Sequence, residues 1–228
     1  MDRTNRKPSW SFSGIKTFDQ CPKKYYHLKV AKDYKESETD AMYYGTAFHK
    51  AAEEYIKGEV ETLDPRFDYA LAALDKLKNM EGEKLCEYEM GLTANLEPCG
   101  FRDPEMWWRG ISDLTILDRA KGTARIVDYK TGKSAKYADK GQLELMALAT
   151  FKHFPEIKVV KGGLLFVVCN AFIQDTYTIE QEPQLWSKWL SEYGKMEKAY
   201  EVNVWNPRPS GLCRAHCIVL ECPHNGRR

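Results

Sequence analysis

Two neighbouring apolar segments, WWRGISDLTIL (107–117) and ARIVDYKTG (124–132), constrain this chain more than any other feature. Both are rich in β-branched and aromatic residues, and DRAKGT (118–123) between them supplies turn chemistry, so they predict an antiparallel hairpin. Charged groups stand inside this apolar frame. Asp128 and Lys130 are two apart on a strand, so they leave one face while Tyr129 points to the other. The hairpin brings Asp113, on the preceding strand, next to Asp128. Taken alone, Asp128 and Lys130 read as an exposed ion pair, which is common and contributes little. Ile111, Leu114, Ile126 and Val127 are apolar, however, and argue that the charges emerge from a buried sheet.

The rest of the chain supplies what such a sheet packs against. SWSFSGIKTFDQCPKKYYHLKV (9–30) reads as two short helices, the first starting near Ser11 or Ser13 and the second near Pro22. A charged loop precedes AMYYGTAFHKAAEEYIKG (41–58), a helix expected to stop at Gly58. Helical spacing of Tyr69, Leu71, Leu74 and Leu77 extends a further helix through about Leu85. EYEMGLTANL (87–96) then opens three consecutive antiparallel strands. Residues 139–153 are expected to be helical, VKGGLLFVVCN and AFIQDTYTIE to form two more strands, and 184–201 a helix with Leu185, Trp186, Trp189, Leu190, Tyr193, Met196 and Tyr200 on its apolar stripe. The tail from Trp205 is rich in Pro, Gly, Cys and His, without periodicity. This order predicts an α/β fold, a mixed central β-sheet flanked by helices, with N-terminal helices and a Cys-rich C-terminal tail.

With 228 residues and 43% hydrophobic content, one substantial core is expected. The organisation expected is a single domain over 1–228, with an N-terminal helical arm at 1–40 carrying Cys21, a core at 41–183, and a C-terminal helix and cysteine-rich tail at 184–228. Lys and Arg (34) nearly balance Asp and Glu (33), which excludes a polycation that coats any nucleic acid; such contact must come from a local patch. No apolar run approaches the roughly 18 residues of a membrane span, and MDRTNRKPSW lacks the apolar middle of a secretory signal, so a cytoplasmic protein is expected. Seven cysteines, an odd number, favour metal ligation or burial over a disulfide framework. Of these, Cys86, Cys99 and Cys169 are expected to pack, whereas Cys213, Cys217 and Cys222 cluster in the tail.

Two carboxylates converging on a sheet edge beside a lysine are a reasonable way to hold Mg²⁺, whose octahedron is completed by water. The metal would lower the pKa of a bound water and neutralise a phosphate, and Lys130 would orient that water or stabilise developing charge.

GTAFH (45–49), Asp113 within GISD, DYKTG (128–132), Gln142 and the N-terminal SFSGIKTFDQCPKKYY occur in an order that resembles the RecB-type branch of the PD-(D/E)XK nucleases. The resemblance implies a restriction-endonuclease-like core. It implies that His49, Asp113 and Asp128 bind metal, that Lys130 is the catalytic lysine, and that Gln142 positions the lysine or the DNA backbone. An imidazole ligand also suits Mn²⁺. Glu53, one turn from His49, would be an outer partner of that histidine. In the family a tyrosine follows the glutamine by four residues; Met146 stands there, so no tyrosine contact with DNA is carried over.

In several members of this branch, including CRISPR-associated adaptation exonucleases, one N-terminal and three C-terminal cysteines hold an iron–sulfur cluster. The resemblance implies a 4Fe–4S cluster on Cys21, Cys213, Cys217 and Cys222, clasping the chain ends. The usual tail is Cys-x2-Cys-x5-Cys; here it is Cys-x3-Cys-x4-Cys with His216 in the middle place, so Zn²⁺ on cysteines with His216 or His224 is the alternative.

The function implied is a metal-dependent DNA exonuclease acting on single-stranded or frayed ends in recombination, repair or replication, with a structure-specific endonuclease or a metal-stapled binding subunit as alternatives. The chain has no GxxxxGK[ST] loop, which suggests a stand-alone enzyme or a subunit in a complex with recombination or replication proteins. Trp107, Trp108, Tyr43 and Tyr44 flank the site and could stack on bases or belong to the core. Lys133, Lys136 and Lys140 are candidates for phosphate contacts.

Overall fold

The structure, a computed structural model, describes residues 8–136 and 138–227; the first seven residues of the expected N-terminal arm, Tyr137 and Arg228 lie outside the described residues. The chain divides into two compact units, one spanning Thr39–Leu185 and the other combining the residues up to Glu38 with those from Trp186 onward.

The first unit is built on a six-stranded mixed sheet. Its strands are β1 (Glu83–Leu92), β2 (Pro98–Cys99), β3 (Trp108–Asp118), β4 (Thr123–Lys130), β5 (Val159–Phe166) and β6 (Ala171–Thr178), in the order β2-β1-β3-β4-β5-β6. Among the described residues β4 and β5 pair in parallel and the other neighbouring strands antiparallel. The parallel pair demands a crossover, which is supplied by the helix Gly141–His153. The β3–β4 hairpin forms as its residues predict, with Leu117 opposite Ala124 and Leu114 opposite Val127.

Two helical layers cover this sheet. The helix Asp40–Lys57 starts where the Thr39 hydroxyl accepts the Met42 N–H and stops at Gly58, whose φ of +75° is left-handed backbone that glycine adopts without strain. Its Phe48, Ala52 and Ile56 join Phe67 and Leu74 in a core against Leu114, Ile116, Val127 and Tyr129 of β3 and β4. The crossover helix lies on the face bearing Ile126, Asp128 and Lys130. It approaches so closely that a Cβ on Gly162 would sit 3.1 Å from Leu143 Cβ.

Two expected boundaries are corrected. Helix does not run to Leu85: a 3-10 turn at Pro65–Ala70 leads into a helix over Leu71–Lys78 only, and Glu83, Lys84 and Leu85 already belong to β1. Glu, Lys and Leu favour helix intrinsically, but pairing with β3 outweighs that preference. β1 also ends at Leu92, four residues before the expected end, because Thr93–Leu96 turns back.

In the other unit, the helix Phe12–Gln20 is capped by Ser11, and Pro22–Tyr25 continues into a π turn at Tyr26–Val30. The last helix, Glu182–Val202, buries Trp186, Trp189, Tyr193 and Met196. Trp10 lies 5.6 Å from Tyr193 and Phe12 6.0 Å from Trp189, ring centroid to centroid. Leu190, expected on this stripe, is exposed instead. Cys86 packs against the core of the first unit, whereas Cys169 is exposed and does not pack as expected. Among the described residues no helix is long and apolar enough to cross a membrane.

Candidate active site

The ladder between β3 and β4 stops at Leu114 and Val127. Beyond it the Tyr129 N–H donates to Asp113 Oδ2 at 2.6 Å instead of to a strand carbonyl, and the Tyr129 carbonyl accepts from His49 Nε2 at 3.2 Å. The backbone of one residue therefore holds both side chains. Because a carbonyl can only accept, the proton on Nε2 is assigned, and Nδ1 is the atom left facing carboxylates. It lies 3.5 Å from Asp113 Oδ1 and 3.8 Å from Glu87 Oε1. Burial pushes the His49 imidazole down, but Asp113 and Glu87 outweigh it and raise the group to about 10.

Asp128 and Lys130 leave the same face of β4, as their spacing predicts. Lys130 Nζ lies 2.5 Å from Asp128 Oδ2 and donates to Gln142 Oε1 at 3.1 Å, while Gln142 Nε2 donates to Asp128 Oδ1. Asp128 is only 5% exposed. Burial and the nearby Asp113 carboxylate push its carboxyl up to about 6, against the pull of Lys130 and His49. Its Oδ2 is close enough to Lys130 for an ion pair but is not aligned with any donor as a hydrogen bond. Two buried carboxylates, one with such an orphaned oxygen, beside an imidazole nitrogen form a donor set that suits a hard divalent cation.

The structure thus brings His49 together with Asp113, and Asp128 together with Lys130 and Gln142. One expectation is corrected, and several alternatives are decided. Glu53 does not support His49; it pairs with Lys57 at 2.6 Å. Trp107 and Trp108 are buried and cannot stack on bases. Tyr43 is exposed, and Tyr44 shares a 2.8 Å hydroxyl contact with Tyr69. Met146 is buried against the backbone at Gly110, in the core rather than on a binding surface. Lys140 pairs with Asp175 at 2.6 Å in a surface bridge that a phosphate could replace, and Lys133 is exposed.

Glu87 was not expected at the site. Its signal lay in the strand register: the pairs Cys86–Leu114 and Tyr88–Ser112 bracket it opposite Asp113.

A family model of the PD-(D/E)XK nuclease superfamily matches residues 9–222. The chain belongs to this superfamily. Membership makes it a nuclease, a hydrolase with a nucleic-acid substrate, of a superfamily that uses divalent metals such as Mg²⁺ or Mn²⁺. Among solved structures, a protein from Eubacterium rectale, described only provisionally as an exonuclease, shares 15% identity over 90% of this nuclease and 85% of that chain, with a TM-score of 0.54. SSO0001 is 11% identical over 98% of this chain and 90% of its own, with a TM-score of 0.46. The Eubacterium rectale likeness bears on the fold alone. No curated protein gives a significant match.

In the second unit, Cys21, Cys213, Cys217 and Cys222 line one cavity of about 260 Å³ together with His216 and His224. Backbone N–H groups of Arg208 and Ser210 donate to the sulfurs of Cys21 and Cys213, each at 3.4 Å. Asn225 is 5% exposed and donates from Nδ2 to the carbonyls of Cys217 and Val219, at 3.1 and 2.8 Å, which fixes the loop carrying the last two cysteines.

Proposed function

We propose that this nuclease is a divalent-metal-dependent deoxyribonuclease that digests DNA from single-stranded or frayed ends, in recombination, repair or replication. The observation that carries the reading is the Tyr129 backbone, whose N–H and carbonyl hold Asp113 and His49 beside the buried, incompletely paired Asp128. In this reading His49, Asp113 and Asp128 hold Mg²⁺ or Mn²⁺. A cation bound there supplies a more acidic water and neutralises charge on the scissile phosphate. Lys130, steadied between Asp128 and Gln142, presents its ammonium to the attacking oxygen or to the phosphate. Gln142 positions that lysine by accepting from it while donating to Asp128. Exposed Lys133 is the favoured phosphate contact in the loop after β4. The provisional description of the Eubacterium rectale protein agrees with digestion from ends.

The cysteines form a separate centre in this reading, a 4Fe–4S cluster on Cys21, Cys213, Cys217 and Cys222. Two N–H groups that donate to sulfur support it, as does the one cavity that all four thiols line. Iron and sulfide analysis of anaerobically purified protein tests this: stoichiometric zinc without iron would remove the cluster.

Digestion from ends is tested with matched linear and circular substrates, single- and double-stranded, in Mg²⁺ and in Mn²⁺. The expected result is loss of label from linear single strands with circles intact. Nicking of circles at a comparable rate would make the enzyme an endonuclease.

A further inference from the structure

The β1–β3 ladder is interrupted at one rung. Every residue of β1 from Glu83 to Leu92 pairs with β3 in a single register except Glu87, and the residue passed over in β3 is Asp113. Glu87 has φ +47°, the left-handed region that glycine, asparagine or aspartate usually occupies and that a glutamate in mid-strand rarely does. β3 is irregular at the same place: Thr115 Oγ1 donates to Ser112 Oγ at 2.9 Å, although residues three apart on a regular strand point to opposite faces. The paired break lets Glu87 and Asp113 turn together toward His49. His49 Nδ1 and one carboxylate oxygen from each acid lie within 4.8 Å of one another.

Resting on the metal-dependent reading above, we infer that Glu87 is a protein ligand of the catalytic cation, which it holds with His49 and Asp113. Three features argue for this assignment. His49 Nε2 is committed to the Tyr129 carbonyl, so its free nitrogen can only face Glu87 and Asp113. Asp128 is the ligand expected opposite, yet its carboxylate is shared with Lys130 and Gln142, which leaves room for another anionic oxygen. Glu87 is also partly exposed, with 35% of its side chain open to solvent, so a hydrated ion can reach it, whereas Asp113 behind it is 9% exposed. The backbone distortion gives the residue choice a reason. An unfavourable conformation at a non-glycine residue persists where the surroundings fix it, and it recurs at functional sites. A glycine would suit the backbone better and would remove the carboxylate.

The test is Mn²⁺ binding to the full chain, followed by the electron paramagnetic resonance signal of free hexaaqua ion, in wild type, Glu87→Gln, Glu87→Gly and Asp113→Asn. Glu87→Gln keeps the side-chain length and removes the charge; Glu87→Gly relieves the backbone. Both should weaken Mn²⁺ binding by about tenfold or more, and metal-free Glu87→Gly should melt at or above the wild-type temperature. If both Glu87 variants bind Mn²⁺ as wild type does while Asp113→Asn does not, Glu87 is no ligand and the inference falls. If Asp113→Asn also binds as wild type does, the metal-dependent reading falls first and this inference with it.

Discussion

Metal binding at this site should release protons in an amount set by two residues. In the metal-free protein His49 carries a proton on the nitrogen that faces Asp113 and Glu87, and its pKa is raised to about 10. Asp128, raised to about 6, is partly protonated near neutrality. A cation needs the unprotonated form of both. Binding at pH 7 should therefore release about 1.1 protons, one from His49 and about a tenth from Asp128, and at pH 6 about 1.5. Between about pH 7 and pH 9 the apparent affinity should rise roughly tenfold per pH unit, because about one proton is displaced per ion bound, and more steeply below pH 6. Calorimetric titration with Mn²⁺ in buffers of different ionisation enthalpy measures the count directly, from the slope of observed against buffer enthalpy. The substitution His49→Asn should lower the release at pH 7 well below one proton, to the share that Asp128 alone supplies. Proton release near zero from pH 6 to 8, with affinity independent of pH, would refute His49 as a ligand.

Further outcomes follow from single contacts. Gln142→Leu removes both hydrogen bonds that steady Lys130 and Asp128, and should lower kcat about 10- to 100-fold in steady-state hydrolysis, with a smaller effect on KM. Asn225→Ala leaves a buried and a half-buried carbonyl without their donor, should cost about 1–3 kcal/mol by thermal or denaturant unfolding, and should speed loss of iron on exposure to chelator. Phe48 is fully buried, with its ring 5.3 Å from Phe67 and 5.7 Å from Tyr129; Phe48→Ala should cost about 3–5 kcal/mol by chemical denaturation.

The parts of this protein that could be read from sequence are those decided by local chemistry. Gly58 ends its helix because a left-handed residue is needed there, and the DRAKGT turn joins β3 to β4. Asp128 and Lys130 share a face because strand periodicity is two. Pairing between distant segments decided what local chemistry could not. Glu83–Leu85 has helical character and becomes strand only because β3 lies alongside. Trp107 and Trp108 are equally compatible with a surface or a core until the sheet is assembled around them. Glu53 lies at the right helical spacing to reach His49, but a lysine one turn further on takes it instead. Glu87 was invisible for a related reason: nothing in EYEMGL marks a left-handed residue in mid-strand, and the break has meaning only opposite Asp113. For the cysteines it was the family resemblance, not local chemistry, that implied a shared site, and the second unit contains a cavity that all four line.

The central claim is that one site hydrolyses DNA with a divalent cation, and hydrolysis of end-labelled single-stranded DNA in Mg²⁺ or Mn²⁺ by Asp113→Asn, Asp128→Asn and Lys130→Ala tests it most directly. Each variant should retain the wild-type fold by circular dichroism and lose activity by about a hundredfold or more. A folded variant set that cuts as fast as wild type, or a wild type that cuts equally well in excess chelator, would contradict the account.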